Sequence, residues 1–229
     1  MTFPVVQATN TSVEATAVSA HDVSLPASIS AGQLLLAILG NADVFTSMAA
    51  EAGWTEELDT TSLAIESRIA DGGEGATVQF DSAASTTSGH NSYRISGAHG
   101  DVEVAAQFSV NNPPSLTPSW GSADTLWIAG VVTSDLLGSV DVTAAPASYS
   151  GLIKTDEVTH GLGGKFRVAT AWRQLAAASE NPGAFTVTDS GAPSPVMAFT
   201  IAVRAAAGRG VVGRGLTRSV LLAPRRLVQ

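Results

Sequence analysis

The side chains best suited to chemistry are four histidines, and their spacing matches no metal-binding or catalytic motif. His21, His90, His99 and His160 lie far apart, and none forms an H-x-x-x-H or H-E-x-x-H pattern. Only His99 has a carboxylate nearby, Asp101, and glycines flank the pair. A His–carboxylate pair can belong to an active site, but the sequence favours a role for this pair in a polar turn.

Two carboxylates share the glycine-rich segment 71–75. Asp71 and Glu74 there are compatible with a Ca²⁺ loop or with a tight hairpin turn, and we expect the turn without a metal. A polysaccharide hydrolase would need two carboxylates facing one another across a cleft, which no spacing indicates. Because nucleophile-elbow, P-loop and dinucleotide patterns are also absent, the sequence predicts no enzymatic activity and no cofactor.

Two of the four tryptophans are candidates for ligand binding. Trp54 and Trp120 lie beside glycine in predicted loops, whereas Trp127 and Trp172 lie in predicted strands and are expected in the core. Exposed loop aromatics stack on sugars or anchor interfaces, so Trp54 and Trp120 are candidate glycan-binding residues. The alternative, which we favour, is that both cap the end of a core.

Composition narrows the class of protein. The 229 residues are 45% hydrophobic but only 14% charged, against about 25% in average proteins. The lack of cysteine excludes disulfides, zinc–thiolate sites and cysteine nucleophiles. The N-terminus has no signal-peptide pattern, and the longest apolar run, 34–39, is too short to span a bilayer. We therefore expect a protein assembled in the cytoplasm, without a membrane partner.

Short apolar-polar alternations separated by glycine, proline and serine predict an all-β protein. The continuous apolar run 34–39 predicts a strand buried on both faces. Helical patterns are limited to 45–52, which Gly53 ends, and one turn at 175–179. The predicted strands are 4–9, 12–18, 21–25, 33–40, 62–70, 75–80, 90–97, 102–110, 124–132, 165–175, 184–188 and 196–205.

The two halves of the chain repeat the same order of elements. Each has an apolar strand, a long loop with an aromatic residue (Trp54 or Tyr149), a strand ending in arginine, an acidic glycine turn and two closing strands. Chance similarity between β-rich halves is the alternative explanation. A true duplication predicts a jelly-roll-like antiparallel β-sandwich of about eight core strands, with 4–25 as edge or cap strands and 111–115 as the crossover between sheets. We expect one domain over 1–205 and an extended arm over 206–229.

The arm differs from the body in charge. Residues 1–203 contain all 20 acidic residues and six of the 12 basic ones, a formal charge of −14, whereas 204–229 contain the other six, a charge of +6. Glycines at 208, 210, 213 and 215 disfavour a helix. Nucleic-acid binding is a rival interpretation, but the acidic body would be repelled by phosphate. The predicted partner-binding residues are Arg209, Arg214, Arg218, Leu221, Leu222, Arg225 and Arg226.

Four segments together, 29–36, 53–55, 93–98 and 118–129, resemble a type of protein encoded among the structural genes of tailed bacteriophages, prophages and related particles. The resemblance covers roughly residues 4–205 and not the arm. It implies a virion component with a β-sandwich fold, located on the capsid surface or in the tail-fibre apparatus. It assigns no individual functional residue.

These observations lead to three hypotheses. The first is a non-enzymatic virion protein, a capsid decoration (cement) or head-spike protein, expected to be a homotrimer that contacts capsid or tail subunits through its arm. The second is a tail-fibre or glycan-binding module that contacts a host surface glycan. The third is a polysaccharide hydrolase. We favour the first, with assembly in the host cytoplasm and location in the virion.

Overall fold

The computed structural model describes residues 2–43, 48–49, 51–161, 163–191 and 193–207. Within these ranges regular structure consists of strands only, so the prediction of an all-β antiparallel sandwich is confirmed. No membrane-spanning helix is found among them. The strands are β1 (Val5–Ser24), β2 (Leu34–Gly40), β3 (Met48–Ala49), β4 (Thr55–Asp59), β5 (Leu63–Ile69), β6 (Thr77–Ser96), β7 (Ala98–Phe108), β8 (Ala123–Asp135), β9 (Val140–Ala144), β10 (Ser150–Lys154), β11 (Val158–Thr159), β12 (Lys165–Ala177), β13 (Thr186–Asp189) and β14 (Pro193–Ala205).

Each half of the chain builds one main sheet. The first sheet has the order β1-β6-β2-β5-β4 and the second, read from its opposite edge, β7-β14-β8-β12-β10. When the five strands of each path are numbered along the chain, both sheets have the order 1-5-2-4-3. Two short strands correspond as well, because β3 pairs with the start of β6, and β9 pairs with β13, just before β14, whereas β11 has no counterpart among the described residues of the first half. The order of elements that repeats in the sequence therefore repeats in the topology.

This topology refines the jelly-roll-like prediction. The chain passes between the main sheets once, at Gly97, which alone separates β6 from β7 and has a φ of +71° that favours glycine. The crossover expected at 111–115 is wrong, since that loop joins β7 and β8 of the same sheet. Segment 4–25 supplies an edge strand, β1, as expected.

One apolar cluster fills the space between the two sheets. Gly130 on β8 is part of this packing, because a Cβ atom there would overlap the ring of Phe199. Trp127 is fully buried and Trp172 packs edge-to-face on Tyr93, so both tryptophans lie where the sequence predicted. The fully buried members of the cluster include Leu34, Leu36, Ile38, Leu63, Ile65, Tyr93, Ile95, Leu126, Ile128, Val132, Phe166, Val168, Met197, Phe199, Ile201 and Val203.

The outer faces of both sheets are also covered. Strand β2 is buried on both faces, as predicted, because the far ends of β1 and β6 pack Val23 and Phe80 onto Leu35 and Leu39. On the second sheet, β9, β13 and the loop before β8 form the equivalent cover. The sandwich faces are thus used for packing, and the free surfaces lie at the sheet edges.

Several predicted elements need correction. The pieces 4–9, 12–18 and 21–25 are one bulged strand, and 75–80 and 90–97 are parts of β6. Of the predicted helix 45–52, residues 45–47 and 50 lie outside the described ranges, and Met48–Ala49 is a strand. The helical turn at 175–179 is wrong because β12 continues to Ala177 alongside β8. Strands β4, β9, β10 and β11 were not predicted, since they are short and only partly buried.

Candidate functional site

Two grooves lie where the edges of the main sheets meet. Strand β1 contacts β10 along one edge, and β4 contacts β7 along the other. Because both sheets have the same strand order, these edges are equivalent: each joins the first strand of one half to the third strand of the other. The β1–β10 groove has a volume of about 410 Å³ and the β4–β7 groove about 530 Å³.

The two grooves differ in charge. Among its lining residues the β4–β7 groove has three carboxylates, from Glu57, Asp101 and Glu103, and one guanidinium, from Arg204, which gives a formal charge of −2. The lining of the β1–β10 groove carries a single charged residue, Lys154, and therefore +1. Since the fold makes the grooves equivalent, this contrast comes from the residues placed in them.

Asp101 is held in the β4–β7 groove by two basic side chains. Its Oδ2 accepts a hydrogen bond from Arg204 Nη1 at 2.8 Å, and its Oδ1 lies 3.0 Å from His99 Nδ1. The bond from Arg204, and then His99, keep the pKa of Asp101 below its usual range. The expectation that His99 and Asp101 form a turn is wrong, because both lie in β7, where residues two apart share a face.

The other two carboxylates are also fixed by hydrogen bonds. Glu103 accepts bonds from the backbone N–H of Ser119, at 3.0 and 3.1 Å, and from its hydroxyl. Glu57 accepts one from the Ser67 hydroxyl at 2.6 Å. Burial raises the pKa of Glu57, and the negative charge of Asp101 raises it further. A cation in the groove would therefore interact favourably with Glu57.

The two candidate tryptophans line separate pockets. Trp120 is half-buried in the β4–β7 groove, and its Nε1 donates to Thr125 Oγ1 at 3.3 Å. Trp54 is 8% exposed and packs edge-to-face on Phe80 at 5.5 Å, as expected of a residue that caps a core. It borders a pocket of about 310 Å³ with Arg68. Of the two, Trp120 has the ring more accessible to a ligand.

The aromatic residue after the long loop follows the same kind of turn in both halves. Gly53 (φ +82°) precedes Trp54 and Ser148 (φ +68°) precedes Tyr149. In each case the aromatic N–H closes a turn by donating to the carbonyl three residues earlier, at 2.9 and 3.1 Å. Glycine takes this conformation without strain, whereas Ser148 does so at some cost.

Beside each aromatic residue lies an arginine–glutamate pair. Arg68 Nε is 3.2 Å from Glu74, and Arg173 Nη2 is 3.2 Å from Glu180, with the Arg173 guanidinium 5.6 Å from the Tyr149 ring centre. Glu74 also accepts the N–H groups of residues 71 and 72, which accounts for the acidic residues of that loop. Among the described residues, no cluster of three His, Asp or Glu side chains is placed to hold a metal ion.

Two histidines that the sequence left unassigned form a buried hydrogen-bonded chain with three serines. Ser12 Oγ lies 2.9 Å from His90 Nδ1, and Ser88 Oγ bridges His90 Nε2 and His21 Nδ1, each at 2.7 Å. His21 Nε2 then reaches Ser82 Oγ at 2.8 Å. Both imidazoles are fully buried, so this chain joins β1 to β6 and is closed to a substrate.

The predicted arm residues Arg209, Arg214, Arg218, Leu221, Leu222, Arg225 and Arg226 lie outside the described residues. Comparisons of the chain with protein-family models, curated proteins and solved structures find no match. The candidate site therefore rests on the geometry of the β4–β7 groove.

The buried histidines predict that the protein loses stability on acidification. Burial, and then the neighbouring His21, lower the pKa of His90 to about 3, against about 6.5 in an unfolded chain. The unfolded state therefore binds the extra proton first as the pH falls. The contribution of neutral His90 to the free energy of unfolding is fully present above about pH 6.5. It decreases by about 1.4 kcal/mol per pH unit as the pH falls towards 3.

Replacing His90 with a residue that does not titrate removes this contribution. Denaturant unfolding of the native chain and of His90→Gln should show a flatter pH dependence for the variant between about pH 6.5 and pH 4. The comparison cancels the opposite contribution of buried Glu66, whose pKa burial raises to about 7. His99→Gln is the exposed control. Equal slopes for the native chain and His90→Gln would contradict the assignment.

Proposed function

We propose that this chain is a non-enzymatic structural protein of a virion or phage-like particle, a capsid decoration (cement) or head-spike protein. It docks on neighbouring subunits through segment 206–229. The observation that carries the proposal is that the charge changes sign where the sandwich ends. The last strand among the described residues ends at Ala205, and the segment beyond it has five arginines and no acidic residue. Opposite charges on the body and the arm favour association between copies.

The resemblance to phage structural proteins supports the same proposal. The segments that carry it contribute strands β2 and β8 and the turn at Trp54, which are framework elements of the sandwich. A sandwich with covered faces leaves its edges and its arm for contacts with a homotrimer partner or with capsid subunits. Assembly in the host cytoplasm and location in the virion follow as parts of this proposal.

The proposal predicts that the protein is present on purified particles and depends on its arm to stay there. Quantitative mass spectrometry of particles should find copies comparable in number with the major capsid protein. A variant that ends at Ala207 should keep the thermal unfolding of the native chain but lose most of its occupancy, since the basic anchor is gone. Particles that lack the native chain would overturn the virion proposal, and a few copies would favour the tail or fibre.

The alternative, a tail-fibre or glycan-binding module, is favoured by one observation. Trp120 presents a half-buried ring beside the hydroxyl of Ser119 and the charged groups of Glu103 and Arg204. An aromatic ring beside a few fixed polar groups is a common arrangement in sugar-binding sites.

A glycan in this groove would change the fluorescence of Trp120. Titration with a panel of bacterial surface oligosaccharides should alter the emission of the native chain but not of Trp120→Phe. Trp54→Phe should respond like the native chain, because Trp54 is buried and borders a different pocket. No response from the native chain across the panel would count against the alternative.

A further inference from the structure

We infer that the β4–β7 groove is the docking site for segment 208–229 of a second copy of this chain. The inference rests on the proposed function and specifies where its arm binds. The groove lies along two edge strands, each of which pairs with a neighbour on one side only. The occupant is a Gly/Arg-rich segment with five arginines and no acidic residue.

The internal duplication provides a control for the charge argument. The two grooves occupy equivalent positions in the fold, yet only the β4–β7 groove combines Glu57, Asp101 and Glu103, whereas the β1–β10 groove has Lys154, which is paired with Asp141 at 2.5 Å. Hydrogen bonds from Ser67 and Ser119 hold Glu57 and Glu103 in place, and the formal charge of −2 on the groove lining is complementary to a basic occupant.

The groove already contains the type of contact that an arginine arm would make. Arg204 donates to Asp101 at 2.8 Å although both side chains are about two-fifths exposed. Glu57 and Glu103 retain acceptor capacity, because a carboxylate can accept about four hydrogen bonds. The half-buried ring of Trp120 lies beside them as a surface on which a guanidinium can stack.

The direction of β14 favours a second copy over the chain's own arm. Groove residues Val102 and Glu103 lie opposite Val203 and Ala202, while Ala205 already pairs with Ala98 at the start of β7. The N–H of Ala206 then donates to the carbonyl of Gly97 at 2.8 Å, so the chain leaves the sheet heading away from the groove. An arm from another copy can enter without reversing direction.

Self-association of the full chain tests this inference. Sedimentation velocity at low salt should show association of the native chain that weakens at high salt, where exposed charges are screened. The groove variant Glu57→Gln/Glu103→Gln should raise the dissociation constant about tenfold, equivalent to about 1.4 kcal/mol. The matched control Glu51→Gln/Glu56→Gln removes the same charge from exposed positions outside this groove and should leave the constant unchanged.

Mixing two deficient variants tests whether the contact joins two copies. Arg214→Glu/Arg218→Glu alters the arm but keeps the groove, and the groove variant keeps the arm. Each alone should be deficient, and the mixture should associate because one supplies the groove and the other the arm. Thermal unfolding of every variant shows whether its fold is retained.

Three results would overturn the inference. Association that depends on the arm but not on Glu57 and Glu103 would place the arm elsewhere. Failure of the mixture to associate, with both variants folded, would mean that the contact does not join the arm of one copy to the groove of another. A native chain that is monomeric at every concentration would exclude the contact. All three leave the proposed function standing, because that depends on presence in the particle.

Discussion

Burial of both faces of each main sheet is the constraint on which the rest of the structure depends. Successive residues of β2, from Leu34 to Leu39, point alternately inward and outward, and all of them are fully buried. Each square ångström of apolar surface removed from water stabilises the fold by about 25 cal/mol. If only the inner face of β2 were covered, the apolar side chains on its outer face would stay in water and would not add to the stability. The long strands β1 and β6 meet this requirement, because one part of each pairs within the sheet and the other part covers its outer face.

Covering the faces also determines where the protein can interact. The outer faces of both sheets are occupied by the chain's own strands and loops. The edges remain, and edge strands expose unpaired N–H and carbonyl groups that natural proteins protect with charge. Asp101 and Glu103 on β7 protect one such edge against indiscriminate pairing. In the proposed contact, the same charges would attract a basic segment.

The sequence predicted most reliably what local periodicity encodes. Strand β2 is continuously apolar, so both its position and its burial on two faces could be inferred. The alternation around β5 located that strand, but it suggested one solvent-exposed face, whereas Ala64, Glu66 and Ser67 are buried as well. The order of elements in the two halves was also readable. Segment 81–89 was not assigned, because its serines, threonines and glycine have the composition of a loop. Its Ser82 and Ser88 hydroxyls form hydrogen bonds with His21 of the partner strand, and such pairing leaves no periodic signal.

The groove was beyond sequence analysis for a different reason. Glu57, Asp101 and Arg204 are far apart along the chain, and only the strand order brings them together. The alternation of Asp101 and Glu103 was the one local signal, and it indicates a shared strand face, not a site.

Comparison of the two halves separates what folding requires from what it does not. Both halves have the aromatic turn and the arginine–glutamate pair, Arg68 with Glu74 and Arg173 with Glu180. Packing of a covered sheet accounts for these shared features. The edge grooves occupy equivalent positions, but only the lining of the β4–β7 groove contains carboxylates. Carboxylates at this position are therefore not required by the strand order that the two halves share, and the proposed contact with a basic segment would give them a function.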